Sequence, residues 1–304
     1  MSAEQASVPQ RRARAAVAGA VALIQVPYHA GDERHGSSRG PGRLVEAGAA
    51  DRLRARGLAV TVERVERGGP FRDTASSAAE VNRRLAAAVA RAQSDGALPL
   101  VLTGSCNSCM GVLAGFEHSR CGAVWIDAHA DFNTPESAAS GFFPGMSLAV
   151  VTGHCYRGYW GRIGDNTPLA EEAIALLGVR DLYPEAERER LERSAIEVVA
   201  WRDGAPQRDV GEALDRLAGR VEEIYLHVDF DGFAPEVAPG IVEEPAPGGL
   251  TRDHAAQIIR GAAGRFRLRA VTLATYTPEN DADDRTLRLA LDLIDLIGEC
   301  IRGR

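Results

Sequence analysis

Short runs of Val, Ile and Leu recur along the chain, separated by segments whose apolar residues follow a helical period. Each run is four to seven residues long and almost continuously apolar, which is typical of strands covered on both faces. They predict eight strands, at residues 21–26, 58–62, 98–103, 123–127, 174–178, 196–200, 224–230 and 270–273.

Helical periodicity marks the intervening segments, such as residues 80–93 and 210–221. Strands that alternate with helices predict an α/β fold with a parallel sheet sandwiched between helices. The first 15 residues are polar, and we expect them to be frayed.

Composition narrows the class of partner. The chain has 304 residues, of which 45% are hydrophobic, and a net charge of −7. Because no basic stripe is present, we expect a small-molecule substrate rather than a nucleic acid or a membrane. An odd count of five cysteines favours a reducing cytoplasm. Residues 11–28 begin like a signal peptide, but their apolar run ends at Pro27 and suits a buried strand.

Three Gly- and Pro-rich stretches, at residues 30–42, 132–145 and 232–249, are too long to be simple connections. In a parallel sheet, loops that follow strands gather at the carboxyl edge, where ligands bind. Two of these stretches follow acidic clusters, so we expect the functional site at this edge.

The two acidic clusters combine aspartates with a histidine, at Asp127, His129 and Asp131 and at His227, Asp229 and Asp231. Alternation would place the members of each cluster on one side of the backbone. Four aspartates that converge without a balancing Lys or Arg would repel one another if buried, and a pair of divalent cations removes this conflict. Oxygen-rich ligands with an imidazole suit Mn²⁺. The alternative is a set of N-caps and turn formers.

With these clusters, the sequence resembles the arginase/agmatinase ureohydrolase superfamily over essentially its whole length. WIDAHADFNTP and HVDFDGFAPEVAPG match two signature blocks, and VPYHAGDERHGSSRGPGRLVEAG, LLGVRDLYP and GGLTRDHA fit in order. The resemblance implies a single three-layer α/β/α domain over residues 16–304 with a mostly parallel sheet. It also implies a trimer or hexamer, and two Mn²⁺ ions bridged by a hydroxide that attacks a guanidine or amidine carbon. Asp127 and Asp229 would bridge, Asp131 would hold the first ion, and His129 and Asp231 the second.

One family block carries a His that holds the first ion, and here the sequence departs from the pattern. The stretch reads LTGSCNSCMG, which places Cys106 at that position, or Asn107 after a slip of one residue. A thiolate favours Zn²⁺ or Fe²⁺ relative to Mn²⁺, so other divalent metals stay open. Cys106 and Cys109 also form a C-x-x-C, for which a redox-active pair, half a zinc site and two small buried cysteines are alternatives.

The groups that would move protons also differ. Pro144 stands where the arginase pattern has a proton-shuttling His. Two catalytic candidates remain. Asp131 would orient the hydroxide and take up its proton, and His227, two residues before Asp229, would act in proton transfer or support the ligands. A core histidine with a satisfied hydrogen bond is the alternative for His227.

Five residues are candidates for substrate binding through the resemblance. Asn133 and Ser140 match residues that hold an α-carboxylate. Asp181 and Tyr183 fall in the block that meets an α-amino group, where Tyr183 replaces an acid. Thr275 stands where the family has a Glu that pairs with the guanidinium, a charge-assisted contact worth about 1.5–3 kcal/mol. A plain arginase is therefore not expected.

Several departures are shared with the Nω-hydroxy-L-arginine amidinohydrolase branch of D-cycloserine biosynthesis, although that branch keeps the Glu at the position of Thr275. A hydroxyguanidine is less basic than a guanidine, so it needs less from a Glu or a proton shuttle. We expect a hydrolase of C–N bonds in linear amidines, acting on Nω-hydroxy-L-arginine or a relative in specialised metabolism such as antibiotic biosynthesis. The alternatives are an ordinary ureohydrolase on arginine, agmatine or formiminoglutamate, and a non-catalytic, metal-poor protein that binds partners.

Overall fold

The computed structural model describes residues 19–302, apart from residues 70, 72, 139 and 242–244. Within these residues the strands, β1 to β10 in chain order, are Ala20–Val26, Ala59–Arg64, Leu98–Thr103, Cys121–Ile126, Ile174–Leu177, Glu197–Val199, Trp201–Arg202, Ala205–Pro206, Glu223–Asp229 and Arg267–Ala274. The two short strands β7 and β8 form a separate antiparallel hairpin.

The other strands form one eight-stranded sheet in the order β2-β1-β3-β10-β9-β4-β5-β6. Every neighbouring pair in it is parallel. The predicted fold class and the eight predicted strands are confirmed. The last strand is longer than predicted because Arg267 and Arg269 interrupt its apolar run, next to a register shift between Leu268 and Ala270.

The strand β2 differs from the expectation that every strand is covered on both faces. It lies at the edge of the sheet, pairs only with β1 among the described strands, and leaves most of its residues exposed, with Val62 at 40%. An edge strand has a neighbouring strand on one side only. Its Val residues therefore reflect the high β propensity of this residue type rather than burial of the strand.

Helices lie between the strands in the sequence and cover the faces of the sheet. The helices α1 to α10 are Gly40–Glu46, Ala49–Ala55, Thr74–Ser94, Cys109–Ala114, Ser147–Val151, Arg157–Trp160, Glu185–Arg193, Val210–Ala218, Arg252–Arg265 and Arg285–Arg302. None of these helices has the length and apolar character needed to cross a membrane.

Two hydrophobic cores lie on opposite faces of the sheet. Consecutive residues of β1 show the division, because Leu23 packs into one core and Ile24 into the other. The first core includes residues of α2, α8, α9 and α10, and the second includes residues of α3, α4 and α5. The arrangement has three layers, and it leaves the loops at the carboxyl edge free to build a site.

The predicted frayed segment, residues 1–15, lies outside the described residues. The division into this segment and a single domain over residues 16–304 therefore stays a prediction.

Close backbone packing at the carboxyl edge should be sensitive to one glycine. Gly178, just after β5, has a φ of +105°, and a Cβ there would lie 2.8 Å from the carbonyl oxygen of Asp127. We expect Gly178→Ala to lower the free energy of unfolding by about 1–3 kcal/mol, because it adds backbone strain and pushes on Asp127.

Chemical denaturation would measure this loss. Gly42→Ala is the matched control, since it lies in α1 with no atom within 4 Å of an added Cβ, and we expect it to be neutral or to stabilise by up to about 1 kcal/mol. Equal behaviour of the two variants would contradict the packing argument.

Candidate metal centre

The candidate site lies at the carboxyl ends of four strands that are adjacent in the sheet. Asp229 ends β9, Asp127 follows β4 directly, Thr275 follows β10 directly, and Cys106 follows β3 by three residues. The strand order β3-β10-β9-β4 therefore brings together side chains that are far apart in sequence.

Two groups of possible metal ligands result, each with ligand atoms within 4.8 Å of one another. The thiolate group, as we call it, consists of Cys106, Asp127, His227 and Asp229, and all four are buried. The carboxylate group consists of Asp127, His129 and Asp231. Asp127 belongs to both groups, as expected of a ligand shared by two cations.

Local hydrogen bonds orient the carboxylates. The Asp127 carboxylate accepts from the backbone N–H of His129 at 2.8 Å and from the Trp125 indole N–H at 3.1 Å. The Asp229 carboxylate accepts from the backbone N–H of Asp231 at 2.9 Å, from the Cys106 thiol and from the Thr275 hydroxyl. Each aspartate thus ends its strand in a tight turn that closes on its own side chain.

His129 joins the carboxylate group through its ring. Its Nδ1 lies 3.1 Å from Asp231 and 3.4 Å from Asp127, and its Nε2 lies 3.8 Å from Asp181. Burial alone would lower the pKa of His129, but Asp231 and Asp127 raise it well above its ordinary value. The same contacts hold the pKa of Asp231 at about 2 against the opposing effect of burial.

Asp131 lies beyond the regular strand on which the predicted alternation rests. The strand ends at Ile126, and Asp131 has a φ of +50°, so regular alternation does not extend to it. It belongs to neither ligand group. Its carboxylate lines the same cavity as those of Asp127 and Asp231, and its Oδ2 is buried without a hydrogen-bond partner.

Burial and charge repulsion together oppose ionisation of the acidic groups in the site. Burial, reinforced by neighbouring carboxylates, raises the pKa of Asp131 and Asp229 well above the usual range and that of Asp127 to about 6. Burial and the same neighbours also raise the pKa of the Cys106 thiol. Without a cation these groups resist ionisation, and an unpartnered oxygen remains on Asp131, so the donor set fits divalent cations.

His227 lies beneath the cavity and does not line it. It is completely buried, its ring stacks on Trp125 at 3.8 Å, and its Nδ1 lies 2.8 Å from the Tyr225 hydroxyl. Its Nε2 has no hydrogen-bond partner, which differs from the satisfied core histidine considered from the sequence. Burial lowers its pKa to about 3, so the ring is neutral.

The C-x-x-C does not form a disulfide. Cys106 and Cys109 are both free and buried. Cys106 belongs to the thiolate group and lines the cavity, whereas Asn107 is buried and does not line the cavity, with its Nδ2 unpartnered. Of the two alternatives at this position, the geometry favours Cys106.

A cavity of about 760 Å³ opens onto the ligand groups. All five substrate-binding candidates line it, namely Asn133, Ser140, Asp181, Tyr183 and Thr275. Asn133 donates a hydrogen bond to the carbonyl of Tyr183 at 3.0 Å and so links two of the lining loops. The Thr275 hydroxyl is turned inward, where it donates to Asp229.

Sequence reasoning missed two titratable residues of the lining, His29 and Glu187. His29 donates from Nδ1 to the carbonyl of Gly104 at 3.0 Å and stacks on His35 at 3.9 Å. Burial and His35 lower its pKa to about 4. Glu187 lies in a charged helix whose sequence is typical of a solvated surface, so only the tertiary structure reveals it. His29 directly precedes the Gly-rich stretch at residues 30–42, which was the available signal.

Comparison with known proteins decides the family. The model of the arginase family matches residues 19–298. The chain belongs to the arginase family. A relative named arginase, from Bacillus caldovelox, is 30% identical over 296 residues, which cover 92% of this chain and 98% of the relative.

Solved structures agree with this assignment. The structure of arginase from Bacillus caldovelox is 29% identical, with a TM-score of 0.83 over 94% of this chain and 99% of that one. Proclavaminate amidino hydrolase from Streptomyces clavuligerus is 19% identical, with a TM-score of 0.68 over 98% of this chain and 99% of that one, which shows a shared fold. The predicted superfamily is confirmed, and the resemblance to the hydroxyarginine branch stays a prediction.

Glu187, in the wall of the cavity, should make the stability of this arginase-family chain depend on pH. Glu187 is 2% exposed and accepts from the backbone N–H of Phe132 at 2.9 Å, and burial raises its pKa from 4.5 to about 7. Between pH 4.5 and 7 the folded chain keeps a proton that the unfolded chain loses, so this group makes stability fall as pH rises.

Glu187→Gln keeps an acceptor for Phe132 and removes the titration. As the pH rises from 5 to 8, we expect the free energy of unfolding of the variant to increase relative to that of wild type by up to about 3 kcal/mol. Urea unfolding of the metal-free proteins at both pH values would measure the difference. A difference that is the same at both would show that Glu187 titrates normally.

Proposed function

We propose that this chain is a dinuclear-metal hydrolase that cleaves a C–N bond of a linear guanidine or amidine, with Nω-hydroxy-L-arginine or a close relative as its preferred substrate. The observation that carries the proposal is the pair of ligand groups that share Asp127 at the floor of one cavity. Membership of the arginase family supports the reaction class.

The ligand groups support a division of roles. Asp127, which belongs to both groups, would bridge two ions, with Cys106 on the first and His129 and Asp231 on the second. For Asp229, a bridging role is what the family resemblance implies. Mn²⁺ fits the carboxylate group, and the thiol of Cys106 leaves Zn²⁺ or Fe²⁺ open at the thiolate group. When bound, such ions supply the Lewis acidity that makes water nucleophilic near neutral pH.

Asp131 is the proposed proton acceptor. Its Oδ2 has no hydrogen-bond partner, and its carboxylate lines the cavity beside both ligand groups. A carboxylate whose pKa is raised by burial and by neighbouring acids holds a proton better than an exposed one, so it can accept the proton that water loses on attack.

The wall of the cavity favours a neutral reacting group. Thr275 holds no charge, and its hydroxyl is already used on Asp229, so it offers no ion pair to a guanidinium. Pro144 also lines the cavity where the family pattern has a proton-shuttling His. A hydroxyguanidine, which is much less basic than a guanidine and more readily neutral, loses least from both changes.

The remaining lining residues suit the amino-acid end of such a substrate. Asn133 and Ser140 offer neutral polar groups for an α-carboxylate, while Asp181 offers negative charge for an α-ammonium group. Tyr183 is 82% exposed at the cavity, where it would contact the substrate rather than bind its charge.

A second candidate is an ordinary ureohydrolase acting on arginine, agmatine or formiminoglutamate. It is favoured by the relative from Bacillus caldovelox, which is named arginase and matches this chain over nearly its whole length. With either substrate, we propose a cytoplasmic homo-oligomer, a trimer or hexamer, and for the hydroxyguanidine a place in specialised metabolism.

Metal content is the direct test. After incubation of the reduced protein with Mn²⁺ and desalting, we expect two ions per chain by elemental analysis. Asp231→Asn removes a ligand of the carboxylate group only, so we expect it to retain about one ion. Asp95→Asn, at the exposed end of α3 before β3, is the matched control and should retain two.

Loaded protein would then be assayed on hydroxyguanidines, guanidines and amidines. Two ions per chain with release of hydroxyurea from Nω-hydroxy-L-arginine would support the proposal. Two ions with turnover of arginine instead would favour the second candidate, and a chain that binds no metal would favour a non-catalytic binding protein.

Thr275 provides a separate test of substrate charge. Thr275→Glu restores a carboxylate opposite a guanidinium, so we expect the ratio of kcat/KM for arginine to that for hydroxyarginine to rise about 10- to 100-fold. Steady-state kinetics would measure the ratio. Thr275→Gln, similar in size and uncharged, is the control, and an equal rise in both variants would count against the charge argument.

A further inference from the structure

We propose that His227 is itself a metal ligand, and that its Nε2 supplies the imidazole that the thiolate group lacks at Cys106. The inference rests on the proposed metal site and adds to it a ligand from a different strand. It replaces the proton-transfer role expected from the sequence, because His227 does not line the cavity.

The first observation concerns the Nε2 atom of His227. Nε2 of His227 is buried and has no hydrogen-bond partner in the structure. A ligand atom of the same ring lies within 4.8 Å of ligand atoms of Cys106, Asp127 and Asp229. Buried polar atoms without a partner are uncommon, and one on a ring that lies within reach of three metal-ligating side chains points to a cation.

The second observation is the hydrogen bonding of the other ring nitrogen. The Tyr225 hydroxyl donates to the Thr272 hydroxyl at 2.8 Å and lies 2.8 Å from Nδ1 of His227. Because a phenol has only one proton to donate, this arrangement favours the tautomer that carries the ring proton on Nδ1, which leaves a lone pair on Nε2. A ring nitrogen held by a hydrogen-bond acceptor on its other side is the usual arrangement of a metal-binding histidine.

The third observation is that side chains from neighbouring strands pack around the imidazole ring of His227. Trp125, His227 and Thr272 occupy one row across β4, β9 and β10, as the strand registers show. The Trp125 indole stacks on the imidazole at 3.8 Å and donates its N–H to Asp127. The same layer of side chains therefore positions two members of the thiolate group.

This assignment completes the donor set of one ion. Because Asp131 lies outside both ligand groups, the thiolate group without His227 offers only Cys106, Asp127 and Asp229. With His227 it offers one sulfur, one nitrogen and two carboxylates, a softer set than that of the carboxylate group. We therefore expect the two positions to differ in preference, with Co²⁺ or Zn²⁺ favoured over Mn²⁺ at the thiolate group.

Cobalt titration of the full-length reduced protein tests the proposal, because a thiolate bound to Co²⁺ gives a charge-transfer absorption band. We expect wild type to bind two ions, one of them with this band. His227→Gln should weaken the ion that carries the band by about tenfold or more, and Tyr225→Phe, which removes the acceptor that favours this tautomer, should weaken it about tenfold.

His118→Gln is the matched control, since His118 is equally buried but bonds the carbonyls of Phe116 and Thr167 away from the ligand groups. It should leave both ions unchanged. Wild-type affinity for both ions in His227→Gln would overturn the inference while the proposed function stands. Failure of wild type to bind any metal would instead remove the proposed function.

Wild-type protein gives a readout that does not depend on the folding of a variant. With ¹⁵N-labelled histidine, pulsed electron paramagnetic resonance of the bound Co²⁺ should show hyperfine coupling to an imidazole nitrogen at the ion that carries the thiolate band. A thiolate-bound ion without such coupling would overturn the role of His227.

Discussion

Mutual repulsion among buried carboxylates is the constraint that organises this protein. Asp127, Asp131 and Asp229 lie where burial and neighbouring acids both oppose ionisation. Among the described residues that line the cavity there is no Lys or Arg to offset them. Backbone N–H groups and His129 orient the carboxylates without neutralising them all. Such a cluster is tolerable in a folded protein if cations are its regular partners.

Much of the fold could be predicted because the responsible signals are local. A run such as residues 98–102 is apolar throughout, is followed by Thr103 and a glycine loop, and needs only its own sequence to be recognised as a buried strand. The two aspartate clusters were also local signals, since each follows such a run. The sequence could therefore predict the edge of the sheet at which the site lies and most of the candidate ligands.

What could not be predicted depends on the path of the chain after the strand ends. Alternation predicts that Asp131 shares a face with Asp127, but a left-handed backbone conformation at Asp131 breaks the period. The orphaned nitrogen of His227 emerges only when Trp125 and Thr272 arrive from neighbouring strands and enclose the ring. Glu187 belongs to a helix whose sequence is typical of a solvated surface, and only the tertiary structure buries it, where its carboxylate accepts from the backbone N–H of Phe132.

The position of β10 has a consequence for how the site assembles. This strand is the last of the sheet in the sequence, yet it lies in the middle, between β3 and β9. Asp127, His129 and Asp231 come from β4 and β9, which pair directly, whereas Cys106 comes from the far side of β10. The thiolate group therefore requires residues 267–274 to lie between its members, whereas the carboxylate group requires only β4 and β9. The two ligand groups thus differ in how much of the sheet must be in place before their side chains meet.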